Sequence, residues 1–370
     1  MIIEHLELVD FRNYGRAAFE LTDGLTIVVG GNGQGKTNFA EALAYLATLS
    51  SFRAAPPEAL VREGAGAAVV RADIRDEDGR RSQIEAEIVP GGRNRVQVNR
   101  QRLGRARDLL GTVRVTVFSP DDLTLVKGGP ADRRRFLDDT LVALAVKYDA
   151  ARLELERIVR QRNTLLRQAA GRLDESTSTT LDVWDARLTA AGEQFGNARN
   201  LLVERIEPHV ASAYDHLAGH PTTLRLGYDP PWRRTGLAAA LLAARTDDLR
   251  RAVSTIGPHR DELTLSIDDL PARTHASQGE QRTLALALRL GAHRLVAERT
   301  GSSPVLVLDD VLSELDPERA AALLSGLPPG QVVITTAGQV PPSAMARATL
   351  RITAGHVLDE RGAPLGASEG

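Results

Sequence analysis

Gly30-Gly31-Asn32-Gly33-Gln34-Gly35-Lys36-Thr37 packs the most chemistry of this sequence into the fewest residues. It fits G-x4-G-K-[ST] without a mismatch, and Asn38 follows. Glycines at that spacing let backbone N–H groups turn inward around a β-phosphate. Lys36 then reaches the β/γ oxygens, and the Thr37 hydroxyl ligates Mg2+. A helix opening at this point adds its N-terminal dipole to the anion site. The reading is a triphosphate cradle of Gly30, Asn32, Gly33, Gln34, Gly35, Lys36, Thr37 and Asn38. A Gly-rich turn with an accidental lysine is the alternative. Composition weakens it, because every basic residue except Lys36, Lys127 and Lys147 is an arginine.

Two further stretches fit a phosphate site. Val305–Leu308 is wholly apolar and ends in Asp309-Asp310. A buried parallel strand ending in acid sets a carboxylate at its C-terminal edge, beside a phosphate loop. Asp309 is the candidate Mg2+ ligand, and Asp310 the candidate that orients or deprotonates an attacking water. Ser277-Gln278-Gly279-Glu280 opens a helical run, and Ser277 with Glu280 forms a capping box. A well-capped helix accounts for the serine and the glutamate. It does not account for glycine in the first turn, where helix propensity is poor. A hydroxyl, bare N–H groups and a helix dipole make a second anion site.

Stepping outward, the elements that must hold these residues are legible as patterns. Leu6 and Leu8 alternate with Glu7, and Leu25–Val29 is a continuous β-branched run that suits a strand buried on both faces. Strand signals recur at Val69–Ile74, Ile84–Val89, Val96–Asn99 and Val113–Phe118, and again at Leu263–Ile267, Val305–Leu308 and Gln331–Thr335. Between them the character is helical. Apolar residues fall at helical spacing from Asp132 to Gln168 and from Leu181 to Leu217, around a polar turn at Gly171–Thr180. Two helices of roughly 35 residues then form an antiparallel hairpin about 50 Å long. An Ala/Leu helix at Gly236–Arg251 closes the region.

Length, 370 residues, leaves room for two domains. Composition is that of a globular chain, with 42% hydrophobic and 25% charged residues. The absence of cysteine excludes disulfides, thiolate metal sites and cysteine nucleophiles. The start lacks the basic and apolar regions of a signal peptide, and no run approaches the ~20 apolar residues of a membrane span. The expected location is the cytoplasm. A net charge of -2 means that nucleic-acid contact must come from local clusters.

The order of phosphate loop, Ser277-Gln278-Gly279-Glu280-Gln281, Asp309-Asp310 and Ser313-Glu314-Leu315-Asp316 resembles that of the ATP-binding-cassette ATPases, with a signature motif and a D-loop. Within them the chain resembles the RecF family of bacterial recombination mediators, which are SMC-like ATPases. The resemblance spans nearly the whole chain. It rests on Phe11-Arg12-Asn13-Tyr14, Ser51-Phe52-Arg53, Phe118-Ser119-Pro120-Asp121-Asp122-Leu123, Gly128-Gly129-Pro130 with Arg133-Arg134 and Phe136-Leu137-Asp138, and Gly257-Pro258-His259-Arg260-Asp261.

The resemblance implies an α/β fold: an ABC-type ATPase head of mixed sheets and helices, with an inserted helical domain forming the short hairpin. The expected boundaries are 1–124 and 252–370 for the split ATPase domain and 125–251 for the insertion, with a disordered tail at 361–370. It further implies ATP and Mg2+ as cofactors. Two subunits pair head to tail, and Ser277, Gln278, Gly279 and Glu280 of one meet the nucleotide held at Lys36 of the other. The implied function is ATP-dependent binding of duplex DNA or gap junctions in repair, recombination, the SOS response and replication-fork recovery. RecO and RecR are the implied partners, RecA is loaded downstream, and a weak, DNA-stimulated ATPase releases the complex. No membrane is involved.

Departures from cassette transporters fit slow hydrolysis. Thr335-Thr336 stand where a switch histidine is expected, no glutamine stands near Phe118–Asp122, and Asp310 is one methylene shorter than glutamate. For DNA, Arg93, Arg95, Arg100, Arg102, Arg105 and Arg107 form a run able to track phosphates without reading bases. A solvated face in an arginine-rich chain is the alternative. Arg133-Arg134-Arg135 at a helix start calls for a partner, either an acid such as Asp138 or a phosphate. His259 and Arg260 either sense nucleotide or shape a turn. An aromatic content of 4% speaks against a base-stacking platform. The rival readings are an ATPase subunit of a membrane transporter, an SMC-like DNA-organising protein, and a nuclease, for which no second acidic constellation is visible.

Overall fold

The computed structural model describes residues 1–338 and 340–358. The chain divides into two compact units. The first is 1–123, 212–221 and 277–370; the second is 124–211 and 222–276. The division differs from the expected boundaries. Gly257–Asp261 and the strand Thr264–Ile267 belong to the second unit, and residues 212–221 to the first. The tail expected at 361–370 lies outside the described residues.

The first unit holds two six-stranded sheets. The central one runs in the order His356–Leu358, Ala348–Thr353, Leu25–Val29, Val332–Thr336, Val305–Asp309, Val115–Phe118. All its pairings are parallel except that of the outer strand His356–Leu358. Parallel strands covered on both faces need continuous apolar runs, and Val305–Asp309 and Val332–Thr336 are buried at every position. The second sheet is antiparallel, with Tyr14–Glu20, Ile2–Phe11, Ala68–Arg75, Arg81–Ile88, Arg95–Val98 and the two-residue Gln101–Arg102 in order. Here alternation rules: Ala68–Arg75 is buried at every second residue. Leu6, Leu8, Val70 and Ile84 join Phe39 and Leu43 of the helix Lys36–Thr48 in one core. Within it Tyr14 meets Phe19 edge to face, and Phe19 packs tilted against Phe39.

The second unit is mainly helical, with a three-stranded antiparallel sheet of Leu224–Gly227, Thr264–Ile267 and Leu270–Pro271. The expected first arm of the hairpin is two helices, Pro130–Leu144 and Lys147–Ala169. Ala145 turns extended (φ -158°, ψ 123°) between them. No Gly or Pro marks the break, so the apolar spacing runs across it unaltered. The second helix folds back far enough for Arg152 to reach Asp139 at 3.3 Å. On one continuous helix, positions 13 residues apart lie about 20 Å apart. The other arm is longer than expected: Glu175–Ala218 is one helix of 44 residues, about 66 Å, and it begins inside the predicted polar turn.

Buried charge organises this unit. Arg162 is wholly buried between Asp185 and Asp248, at 2.6 Å from each. Arg199 holds Asp138 through two bonds of 2.8 Å and the Pro258 carbonyl at 2.6 Å. Tyr228 and Trp232 donate to Asp261 at 2.5 and 2.7 Å. Arg133 therefore finds Glu262 at 2.6 Å and the carbonyls of Leu125 and Gly128, not Asp138, because Arg199 already occupies that carboxylate. His259 and Arg260 both donate to the Ser254 carbonyl and so brace the turn between them. Burial drives the His259 imidazole down to about 4, which keeps it neutral.

Candidate functional site

The phosphate loop leaves the strand Leu25–Val29 and enters the helix Lys36–Thr48. Gly35 caps that helix with φ 121°, a region closed to L side chains. A Cβ there would lie 2.6 Å from the Tyr14 hydroxyl; one at Gly30 would lie 2.5 Å from the Ile352 carbonyl. Both glycines are thus demanded by their neighbours as well as by a phosphate. Lys36 is 6% exposed, and its ammonium donates to the carbonyls of Gly30 and Gly31 at 2.8 and 2.9 Å. It closes the loop on itself and fixes the curvature that aims the N–H groups.

Asp309 ends its strand beside this loop, 3% exposed. The Thr335 hydroxyl donates to it at 2.6 Å, and the nearby Thr37 hydroxyl favours its charged form. Burial pushes the Asp309 carboxyl above its usual range, against those two hydroxyls and the Lys36 charge. Thr335 thus occupies the place expected of a switch histidine and carries no titratable proton. Asp310 takes the left-handed conformation (φ 50°, ψ 28°), with its N–H on Thr335. Its Oδ1 is buried and without a hydrogen-bond partner. One hydroxyl, one carboxylate and a neighbouring orphan carboxylate oxygen suit a hard divalent cation that takes its other ligands from water and phosphate. Thr37 and Asp309 are the residues that would hold Mg2+. Among the described residues no group of three acidic or histidine side chains is placed to hold a metal ion.

The residues that brace the loop come from segments singled out only by resemblance. Asn13 donates to the Gln34 carbonyl at 3.1 Å and accepts from Asn38 at 2.7 Å. Tyr14, wholly buried, donates to the Gly35 carbonyl at 2.8 Å. Arg12 holds Glu41 of the loop helix through bonds of 2.7 and 2.8 Å, and Ser51 donates to the same carboxylate. Arg53 reaches Asn38 at 3.4 Å. Gln34 accepts at its side chain from Ala354 and at its carbonyl from Gly355. Asn13, Tyr14, Arg12 and Glu41 belong to the site, and the residue reading left them out of it.

Ser277 caps the signature helix Gln278–Thr300, and the capping box is complete in both directions (3.3 and 2.7 Å). Those bonds hold the Glu280 carboxyl below its usual range. The turn is fixed to the D-loop segment: Arg282 pairs with Glu314 at 2.9 Å, and Arg319, itself on Asp316 at 2.6 Å, lies against Gly279. Glycine at 279 makes room for that guanidinium. Ser277 and Gln278 are exposed. Among the described residues no hydrogen bond or ion pair joins Ser277, Gln278, Gly279 or Glu280 to the phosphate loop. Where a glutamine was missing, Asp122 pairs with Arg289 of the signature helix at 2.5 Å.

The arginine run lies at one edge of the antiparallel sheet. Asn99 and Arg100 (φ 51° and 65°) form the turn of a tight hairpin, and all six arginines are exposed. Arg95 pairs with Glu87 at 3.2 Å, and Arg105 and Asp108 close a short helical cap.

The RecF/RecN/SMC N-terminal-domain family matches residues 2–354. The DNA replication and repair protein RecF of Acidothermus cellulolyticus is 44% identical over 355 residues, covering 92% of this chain and 95% of the relative. That of Streptomyces avermitilis is 43% identical, covering 91% and 93%. A solved structure of the recombination mediator protein RecF with ATP, in the RecFOR pathway, superposes with a TM-score of 0.88 at 28% identity, over 96% of this chain and 97% of that one. An SMC head bound to the winged-helix domain of ScpA aligns at 19% identity with a TM-score of 0.58, a likeness of fold. The α/β ATPase-head architecture, the unmismatched phosphate loop and the near full-length similarity agree, and the chain belongs to the RecF family.

Proposed function

We propose that this protein is an ATP-dependent DNA-binding switch of DNA replication and repair. The observation that carries the reading is a chain with two helix N-termini suited to phosphate, those of Lys36–Thr48 and Gln278–Thr300. One is complete in Lys36, Thr37 and Asp309. The other, Ser277–Glu280, has its polar groups bonded to its own turn and leaves Ser277 and Gln278 exposed. A second end of this kind is of use to a second copy. In this reading two chains pair head to tail around two ATP molecules, and Ser277, Gln278 and Gly279 of one meet the γ-phosphate at Lys36 of the other. Loss of the γ-phosphate removes those contacts and shifts the equilibrium to single chains.

Asp310 serves as the residue that orients the attacking water or accepts its proton, and the chain acts as a slow, DNA-stimulated ATPase. Mg2+ at Thr37 and Asp309 would neutralise phosphate charge. The dimer binds duplex DNA or gap junctions without sequence preference. The sheet-edge arginines 93–107 are one candidate contact. RecO and RecR are the partners, RecA is loaded through them, and the setting is the cytoplasm. No helix among the described residues is long and apolar enough to cross a membrane.

The test is sedimentation velocity with ATP, ADP or no nucleotide, with and without gapped duplex. A dimer that forms with ATP alone and tightens with DNA is the expected result. Lys36→Met should abolish it, and Ser277→Arg should keep ATP binding while losing the dimer. An oligomer indifferent to nucleotide, or DNA affinity unchanged in Lys36→Met, refutes the reading.

A further inference from the structure

The second unit contains a recess of about 540 Å³ that the site above does not use. Its floor is apolar, from Leu155, Val159 and Phe195. Its walls carry Arg134, Arg135, Arg152, Arg160, Arg167 and Arg199, against two acids, Asp138 and Glu156. The acids are outnumbered, and one of the two is spent, while Glu156 sets its charge near Arg152. Both Asp138 oxygens are taken by Arg199, and Arg152 lies on Asp149 and Asp139. Among the described residues Arg135 and Arg160 have no ion-pair partner, and Arg167 bonds only the Thr164 hydroxyl. Arg134 is half-buried and donates to a carbonyl, that of Asp261, at 2.7 Å. Burial and the charge of Arg199 weaken its hold on its proton, although Glu262, Asp261 and Asp138 lie near. A fold that needed these cations for its own stability would have paired them.

Their arrangement is a row. Positions 152, 160 and 167 fall on one face of the helix Lys147–Ala169, separated by 8 and 7 residues, and span about 22 Å. Arg134 and Arg135 flank that row from the helix Pro130–Leu144. A duplex strand carries one charge every ~3.4 Å along its axis, so a row of this length runs past about six phosphates. Guanidinium forks match phosphate oxygens two at a time. An acidic protein surface offers no such fixed repeat.

We propose that this recess is a backbone-phosphate clamp for duplex DNA, with Arg135, Arg160 and Arg167 as its solvent-facing contacts and Arg134 as its inner one. The proposal rests on the DNA-binding reading above and adds a site to it. It predicts affinity without base preference, because phosphate contacts position a duplex and do not read it.

The test is fluorescence anisotropy of labelled duplex with the full chain and ATP, across a salt series. The triple variant Arg135→Gln/Arg160→Gln/Arg167→Gln changes exposed side chains only. It should flatten the slope of log affinity against log salt by about 2–3 and weaken binding at least tenfold at about 0.1 M salt. ATP affinity should stay unchanged. A control triple of equal charge change, Arg80→Gln/Arg234→Gln/Arg299→Gln, should leave the slope within about 1 of wild type. If the recess triple keeps the wild-type slope, or the control triple matches its loss, the clamp is overturned while DNA binding stands. An acidic protein partner would then be the occupant to seek. If wild type binds no duplex in any nucleotide state, the DNA reading fails and the clamp with it.

Discussion

Glu41→Gln is the substitution that most directly tests how the phosphate loop is held. Glu41 has no exposed surface, and its two oxygens take Arg12 at 2.7 and 2.8 Å and the Ser51 hydroxyl. Arg12 is itself 15% exposed, and its remaining bond is to the Ala59 carbonyl at 2.7 Å. Removing one charge leaves the other buried and uncompensated, which costs about 3–5 kcal/mol. At about 2–4 °C per kcal/mol for a unit of this size, the lower figure gives a Tm about 6–12 °C below wild type. Asn13 and Tyr14 follow Arg12 directly and hold the Gln34 and Gly35 carbonyls, so ATP affinity should fall too, by about tenfold per 1.4 kcal/mol transmitted. The assay is thermal unfolding of the full chain with and without ATP, beside a titration of a fluorescent ATP analogue. The double variant Arg12→Met/Glu41→Met removes both charges and should recover much of the lost Tm, since apolar side chains often replace a buried pair at little cost. A Glu41→Gln protein melting within about 2 °C of wild type refutes the reasoning. So does a double variant that melts lower than Glu41→Gln.

Three other outcomes are expected. Asp309 is raised by burial, so the folded state holds its proton more tightly than the unfolded chain does, and stability falls as pH climbs from about 4 through the folded value. Asp309→Asn should stabilise the nucleotide-free protein by roughly 1 kcal/mol, raising its Tm by about 2–4 °C, while losing the extra stabilisation by Mg2+ with ATP; a lower Tm would contradict this. Gly35→Ala places a methyl 2.6 Å from the Tyr14 hydroxyl at φ 121°, so ATP binding should be lost and stability should drop by about 2–3 kcal/mol, both readable by calorimetry. Arg162→Met removes the guanidinium that Asp185 and Asp248 share; Asp185 keeps Arg245 at 2.6 Å, but Asp248 keeps only the N–H and hydroxyl of Thr255, so a buried charge loses its partner and urea titration should show a loss of about 3–5 kcal/mol.

The phosphate loop was legible because its residue types are its chemistry: spacing alone identifies a cradle. Val305–Asp310 was legible for a similar reason, since a strand buried on both faces must be apolar and its acid must stand at the end. The bracing of the loop was not. Asn13 and Tyr14 act on the carbonyls of Gln34 and Gly35, and backbone acceptors leave no trace in side-chain pattern. The break at Ala145 was hidden because helical periodicity continues across it. The strands Leu224–Gly227, Ala348–Thr353 and His356–Leu358 are short or half exposed, and alternation within them is too brief to register. Gly257–Asp261 and Phe136–Asp138 stood out only by resemblance, because their contacts are with buried groups distant in sequence. Asp138, Pro258 and Asp261 anchor buried arginine and aromatic partners in the second unit.

The closure of Lys36 onto its own loop also sets how the molecule meets amine reagents. Its ammonium is buried on two carbonyls, and the N-terminal amine is bonded to Glu77 and Ser302. Among the described residues the exposed amines are those of Lys127 and Lys147, both in the second unit. Mild acylation therefore places its label on the helical unit and spares the nucleotide head, so a dye or cross-linker can report on one half of the chain without an engineered cysteine.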